Sequence, residues 1–128
     1  MLLAEDDITS QQVALGILRQ LGVSANIVTN GAEALKTLTA TPYDLVFMDV
    51  QMPVMNGLEA ARLIRAPESA VPNRHLPIIA MTAHAMQGDR EMCLAAGMDG
   101  YISKPVSCAS LLAALETWLP QDQGVPGL

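Results

Sequence analysis

Leu45-Val46-Phe47-Met48-Asp49 is a short apolar run that ends on a carboxylate. Three other stretches share its form: Glu5-Asp6 follow Leu2-Leu3-Ala4, Thr82 follows Ile78-Ile79-Ala80-Met81, and Lys104 follows Tyr101-Ile102-Ser103. Uncharged runs of this kind are how strands read when helices cover both faces of a parallel sheet. The carboxyl ends of such strands share one edge, where open α/β sheets bind their ligands. Glu5, Asp6, Asp49, Thr82 and Lys104 are therefore expected to meet in a single crevice.

Helical patterns fill the gaps. Val13, Ile17 and Leu21 recur at intervals of four, with Ala14 and Leu18 beside them and Gly22 at the C-cap position, which predicts a helix over about Ser10 to Leu21. Ala25 to Val28 reads as a short, more polar edge strand, and Gly31 to Thr39 as the next helix, ended by Pro42. Asn56-Gly57 is a turn signal, after which Leu58 to Ala66 forms a helix with Ala60, Ala61 and Ile64 inward. Pro67, Pro72 and Pro77 forbid a continuous helix through the long connection from Ala66 to Pro77. Further helices are expected over Ala85 to Ala96, stopped by Gly97, and over Cys108 to Leu119, where Leu111, Leu112, Leu115, Trp118 and Leu119 make a wide apolar stripe. Strand and helix thus alternate five times, with crossovers long enough for parallel pairing. The economical solution is an α/β, three-layer, doubly wound (βα)5 sandwich.

At 128 residues the chain fits one domain, taken as residues 1–120, with 121–128 as a C-terminal tail or the start of a linker. Seven basic against thirteen acidic residues give a net charge of -6, with no run of Lys or Arg, so direct nucleic-acid binding is not expected. Cys93 and Cys108 lack CxxC or His neighbours at metal spacing, and read as plain thiols. No apolar segment approaches the about 20 residues that span a bilayer, and no signal-type leader is evident. The expectation is a cytoplasmic domain without membrane contact of its own, either free or hung on the inner side of a membrane-anchored parent.

Several carboxylates at one sheet edge repel one another unless a cation or bound protons intervene. Asp6 and Asp49, with a backbone carbonyl such as that of Gln51, offer hard oxygens suited to Mg²⁺ in a shallow site open to a further ligand. A phosphoryl oxygen is the natural candidate. Lys104 supplies a mobile cation and Thr82 a hydroxyl donor, while Asp49 could accept a phosphoryl group as an acyl phosphate. No Walker loop, dinucleotide fingerprint or GxSxG elbow is present, so the donor must be small or protein-borne. Each residue also has a plainer reading. Asp49 and Thr82 could cap the turn or helix after their strands, Glu5 and Asp6 could be solvated loop acids, and Lys104 could be a surface amine, although Pro105 constrains its backbone. Asp7 could simply cap the first helix, and His75 and His84 read as surface histidines.

With LLAEDD, YDLVFMDVQMPVMNGLEA, PIIAMTAHA and GYISKPV in order, the chain resembles a receiver domain of a two-component response regulator from Leu2 to about Trp118. The resemblance implies a flavodoxin-like, five-stranded parallel sheet of order 2-1-3-4-5. It implies phosphorylation on Asp49, with Mg²⁺ held by Asp6, Asp49 and the Gln51 backbone carbonyl, and by Glu5 through water. Lys104 would pair with the phosphoryl group, Thr82 would be the switch hydroxyl, and Tyr101 the aromatic rotamer switch. A cis Lys104–Pro105 bond is implied as well. The domain would catalyse its own phosphorylation and dephosphorylation, alone or as part of a hybrid histidine kinase.

The implied phosphodonor is a phosphohistidine on a histidine kinase or histidine phosphotransfer domain. From Met81 the MTAHA…GDREMCLAAGMDGYISKP style is similar to receivers fused to hybrid sensor histidine kinases, which favours that phosphorelay context and the cytoplasmic side of an inner-membrane sensor. A stand-alone single-domain regulator and a phosphorylation-independent binding platform are the alternatives. The chain departs from the family in its clipped first strand and in the longer Pro67 to His75 region.

Overall fold

The computed structural model of the protein describes residues 1–83 and 87–118. Its strands are β1 (Leu2–Ala4), β2 (Asn26–Val28), β3 (Val46–Asp49), β4 (Ile78–Thr82) and β5 (Gly100–Ser103). They alternate with α1 (Ile8–Gln20), α2 (Gly31–Ala40), α3 (Gly57–Arg65), α4 (Gln87–Ala95) and α5 (Cys108–Trp118). All four strand pairings are parallel and the sheet order is β2-β1-β3-β4-β5. This is the flavodoxin-like (βα)5 sandwich. No helix among the described residues is long and apolar enough to cross a membrane.

Alternation along the strands divides the core into two layers, as the two-residue period of a pleated strand requires. Leu2, Ala4, Val46, Met48, Ile78 and Ala80 face one layer, closed by Ala34 and Leu38 of α2, by Ala60, Ala61 and Ile64 of α3, and by Cys93 of α4. Leu3, Phe47, Ile79, Met81 and Ile102 face the other, closed by Ala14 and Leu18 of α1 and by Leu111, Ala114 and Leu115 of α5. β1, β3 and β4 are buried throughout, whereas the edge strand β2 is not. Three of the uncharged runs in the sequence therefore mark the central strands, and the fourth forms the partly buried edge strand β5.

Three details differ from the sequence expectation. Helix α1 begins at Ile8, not Ser10, because the Asp7 carboxylate accepts the Ser10 N–H at 2.8 Å and caps it. Val13, expected in the apolar stripe, is 43% exposed, because the face laid on the sheet runs through Ala14 and Leu18. Helix α3 takes in Gly57, with Asn56 as its cap, and Ala66 beside Pro67 has already left the helix.

Gly22 and Gly97 take positive φ of 79° and 100°, just past the ends of α1 and α4. The irregular connection after α3 still contributes Val71 and Leu76 to the core. The Lys104–Pro105 bond is cis. Ala85 at the expected start of α4, His84, Leu119 and the 121–128 tail lie outside the described residues.

Candidate functional site

A doubly wound sheet opens a crevice where crossovers depart to opposite faces, here at the carboxyl ends of β1 and β3. Glu5 and Asp6 leave the end of β1, and Asp49 is the last residue of β3. A carboxylate oxygen from each of the three lies within 4.8 Å of the others. Glu5 and Asp49 are only 1% and 4% exposed, while Asp6 is open to solvent. The Lys104 ammonium, arriving from the end of β5, reaches Glu5 Oε1 at 2.6 Å and Asp49 Oδ2 at 2.9 Å. Among the described residues, one cation thus meets a cluster of three carboxylates.

Backbone contacts hold these strand ends level. The Lys104 N–H donates to the Thr82 carbonyl at 2.8 Å, and the Val50 N–H to the Met81 carbonyl at 3.0 Å. Asp49 Oδ1 accepts the Gln51 N–H at 3.2 Å. The β3–α3 loop folds back so that Gly57 N–H donates to the Val50 carbonyl, and a Cβ at Gly57 would strike the Asp49 carbonyl. Only glycine permits that approach, which pins the acceptor strand under the loop.

The resulting cleft holds about 220 Å³. Its lining includes Glu5, Asp6, Asp7 and Asp49, then Thr82 and Lys104, and from α4 Asp89, Met92 and Cys93. Asp49 is thus buried by its neighbours yet still reached from the cleft. Burial, then the adjacent Asp49, pushes the Glu5 carboxyl above its usual range, against the opposing pull of Lys104. Burial works against the Lys104 ammonium, but its bonds to Glu5 and Asp49 outweigh that and hold its pKa above the ordinary lysine value. The lysine stays charged.

An octahedral Mg²⁺ with oxygens at about 2.1 Å accepts one or two carboxylates and keeps several waters. Three carboxylate oxygens within 4.8 Å, two buried and one facing solvent, fit that requirement.

Each of the five crevice residues read from the sequence comes to this cleft, and Gln51 borders it. Tyr101 stands apart on β5, half-buried against the core layer of α2 to α4. It pairs with Ala80, as Ser103 pairs with Thr82, so Tyr101 and Thr82 share a face of the sheet one step apart. The Arg90 guanidinium lies 5.6 Å from the Tyr101 ring centroid. Asp7 is the cap of α1, and His75 is not among the residues lining the cleft.

Sequence reasoning did not find the Glu5–Lys104 pair, the Asp89, Met92 and Cys93 wall, or Gln11, whose side chain donates to the Glu5 carbonyl at 2.6 Å. For the α4 residues the signal was topological, since α4 follows the strand that ends on Thr82.

The response regulator receiver domain family matches residues 1–116. Histidine kinase 5 of Arabidopsis thaliana is 40% identical over 93% of this chain, which spans 15% of that protein's length. The receiver domain of sensor histidine kinase PA1611 from Pseudomonas aeruginosa PAO1, solved with a magnesium ion coordinated in its active-site cleft, is 44% identical. It superposes with a TM-score of 0.81 over 91% of this chain and 93% of that one. The Saccharomyces cerevisiae receiver domain of Ssk1, solved with the histidine phosphotransfer protein Ypd1, gives 31% identity and a TM-score of 0.83 over 99% and 92% of the two chains.

Proposed function

The chain belongs to the response regulator receiver domain family, and from that premise we propose that it accepts a phosphoryl group on Asp49 from a phosphohistidine of a histidine kinase or histidine phosphotransfer domain. An Asp49 carboxylate oxygen forms the new P–O bond while the P–N bond breaks, its electron pair leaving with the donor imidazole. Water later attacks the acyl phosphate, restoring the carboxylate and releasing inorganic phosphate. The supporting observation is the shortage of positive charge around Asp49, where among the described residues Lys104 is the one cation paired with Glu5 and Asp49, and Asp6 lies beside them.

Asp6, Asp49 and the Gln51 backbone carbonyl would hold Mg²⁺, with Glu5 acting through water. When bound, the metal supplies charge neutralisation for the phosphoryl oxygens. Lys104 exchanges its contact with Asp49 for one with an incoming phosphoryl oxygen, and the Thr82 hydroxyl donates to another. Movement of Thr82 toward the phosphoryl group frees space on the sheet face it shares with Tyr101, which turns inward and reshapes the surface of α4 and β5.

The parent protein on this reading is a hybrid sensor histidine kinase that relays phosphate to a separate phosphotransfer domain. The domain would then be residues 1–120, with 121–128 leading out of it. In support, the relatives include histidine kinases of which this chain spans 5 to 15%.

Intact-mass measurement after incubation with acetyl phosphate and Mg²⁺ tests the acceptor. The wild type gains one phosphoryl group and Asp49→Ala gains none. Equal labelling of the two would overturn the assignment.

A further inference from the structure

Asp6 is the one member of the acidic cluster whose side chain is exposed, and among the described residues no hydrogen bond or ion pair holds its carboxylate. Its direction must come from the backbone on either side. The peptide after Asp6 presents the Asp7 N–H to Glu5 Oε2 at 3.3 Å, a long contact. The peptide before it carries the Glu5 carbonyl, at the point where the chain has left the sheet. The Glu5 N–H is still paired across the sheet with the Val28 carbonyl at 3.0 Å, but the Glu5 carbonyl takes its hydrogen bond from the Gln11 side-chain amide at 2.6 Å. That bond fixes the plane of the Glu5–Asp6 peptide, and with it the direction in which the Asp6 side chain leaves the backbone.

Gln11 is well placed for the task. It lies in the first turns of α1, where its own N–H donates to the Asp7 carbonyl at 2.9 Å. The Asp7 carboxylate caps the same helix through the Ser10 N–H. The β1–α1 turn is therefore tied to a rigid helix at both its cap and its departing carbonyl. Gln11 is not among the residues lining the cleft; it acts through the peptide that carries Asp6.

We propose that Gln11 is a positioning residue for the divalent-cation site, holding the Glu5–Asp6 peptide so that the exposed Asp6 carboxylate is already aimed at the metal. The inference rests on the Mg²⁺ site proposed above. Groups that orient a metal ligand commonly change affinity by one to two orders of magnitude when removed. Here the lost bond acts on one ligand of a partly hydrated ion, which places the effect at roughly tenfold, the lower end of that range.

The test compares wild type, Gln11→Met, which keeps the length of the stem and removes the donor, and Gln11→Lys, which returns a donor. Mg²⁺ affinity is read by isothermal titration calorimetry. The midpoint of thermal unfolding is read without divalent cation, and the acetyl phosphate labelling rate at saturating Mg²⁺. Gln11→Met is expected to bind Mg²⁺ roughly tenfold more weakly, with at most a small fall in the metal-free midpoint from the stranded Glu5 carbonyl and an unchanged rate once the site is saturated. Gln11→Lys recovers much of the affinity, although its added positive charge alone would weaken binding.

Wild-type affinity in Gln11→Met would overturn the assignment. So would a fall in the metal-free midpoint accompanied by an equal loss of rate at saturation, because that is how a general structural defect behaves. A wild type with no Mg²⁺ response at all would instead overturn the functional reading on which the assignment rests.

Discussion

The two edges of the sheet each enclose an ion pair, and the pairs are built on opposite terms. At the amino edge, Arg65 from the end of α3 meets Asp99 at 2.6 Å. Its remaining donors reach the Gly97 carbonyl at 2.9 Å and the Arg74 carbonyl at 2.5 Å, while Asp99 also accepts the Ile78 N–H at 2.8 Å. Arg74 returns a bond to the Arg65 carbonyl at 3.0 Å. Arg65 pairs with a single carboxylate, and the donors left over on both guanidiniums are taken up by backbone carbonyls.

At the carboxyl edge, Lys104 is the one cation among the described residues that pairs with Glu5 and Asp49, with the Asp6 carboxylate beside them. A closed network ties α3, the long connection, β4 and the turn before β5 together. An open one leaves a deficit that a cation and an anionic ligand can fill. Stability is concentrated at the first edge and binding capacity at the second.

Breaking the closed network should cost most. Arg65 and Asp99 side chains are 19% and 32% exposed, so the pair is partly screened. Arg65→Ala also strands two backbone carbonyls, and about 2–3 kcal/mol of destabilisation is expected. Urea denaturation measures it. A loss under about 0.5 kcal/mol, the scale of an exposed pair, would show that the amino edge is not the brace described here.

The open network responds to ligand instead. Mg²⁺ at ten times its dissociation constant should stabilise the folded chain by about 1.4 kcal/mol through mass action, seen as a rise in the thermal midpoint. Asp6→Ala should reduce that rise, and Arg65→Ala should leave it intact. An equal Mg²⁺ response in wild type and Asp6→Ala would erase the distinction between the edges.

Strain is also concentrated at the open edge. Val54, in the loop after β3, has a φ of 67° and is 85% exposed, so a β-branched residue sits in the left-handed region with little packing in return. Val54→Gly should stabilise the protein by about 1 kcal/mol in the same denaturation assay. A destabilised variant would mean that the side chain does more at the surface than its exposure suggests.

The smallest effect is in pH dependence. Burial first, and then Asp49, raise the Glu5 carboxyl pKa in the fold, with Lys104 opposing. The folded chain therefore holds this proton more tightly than the unfolded one does. Its contribution to stability is greatest at low pH and falls as pH rises from the ordinary carboxylate value through the folded one. Without divalent cation, the wild type should lose stability relative to Glu5→Gln across that window. A difference that stays flat with pH would remove Glu5 from the electrostatic account.

The open edge was the more legible of the two in the sequence. Its residues sit where uncharged strands stop: Glu5-Asp6, Asp49 and Thr82 each end a run that burial on both faces keeps apolar, and Lys104 follows the partly buried edge strand β5. The closed edge left no such trace. Arg65 and Asp99 are separated by 34 positions, and their meeting depends on the path of the Ala66 to Pro77 connection, which has no periodicity to read. Val13 misled for a related reason: its spacing is helical, but which of two adjacent apolar stripes lies on the sheet is decided by packing. Gln11 escaped notice because a neutral amide bonded to a backbone carbonyl looks like any surface glutamine.

The central claim, that the charge deficit at the carboxyl edge exists to receive a phosphoryl group on Asp49, is tested most directly by trapping the product. The protein is incubated with acetyl phosphate in Mg²⁺ or in chelator, reduced with borohydride to convert an aspartyl phosphate to homoserine, and mapped by tandem mass spectrometry. The account predicts homoserine at position 49 in Mg²⁺ and little or none in chelator. Homoserine at another aspartate, the corresponding longer alcohol at a glutamate, or labelling of Asp49 that is indifferent to the metal, would contradict it.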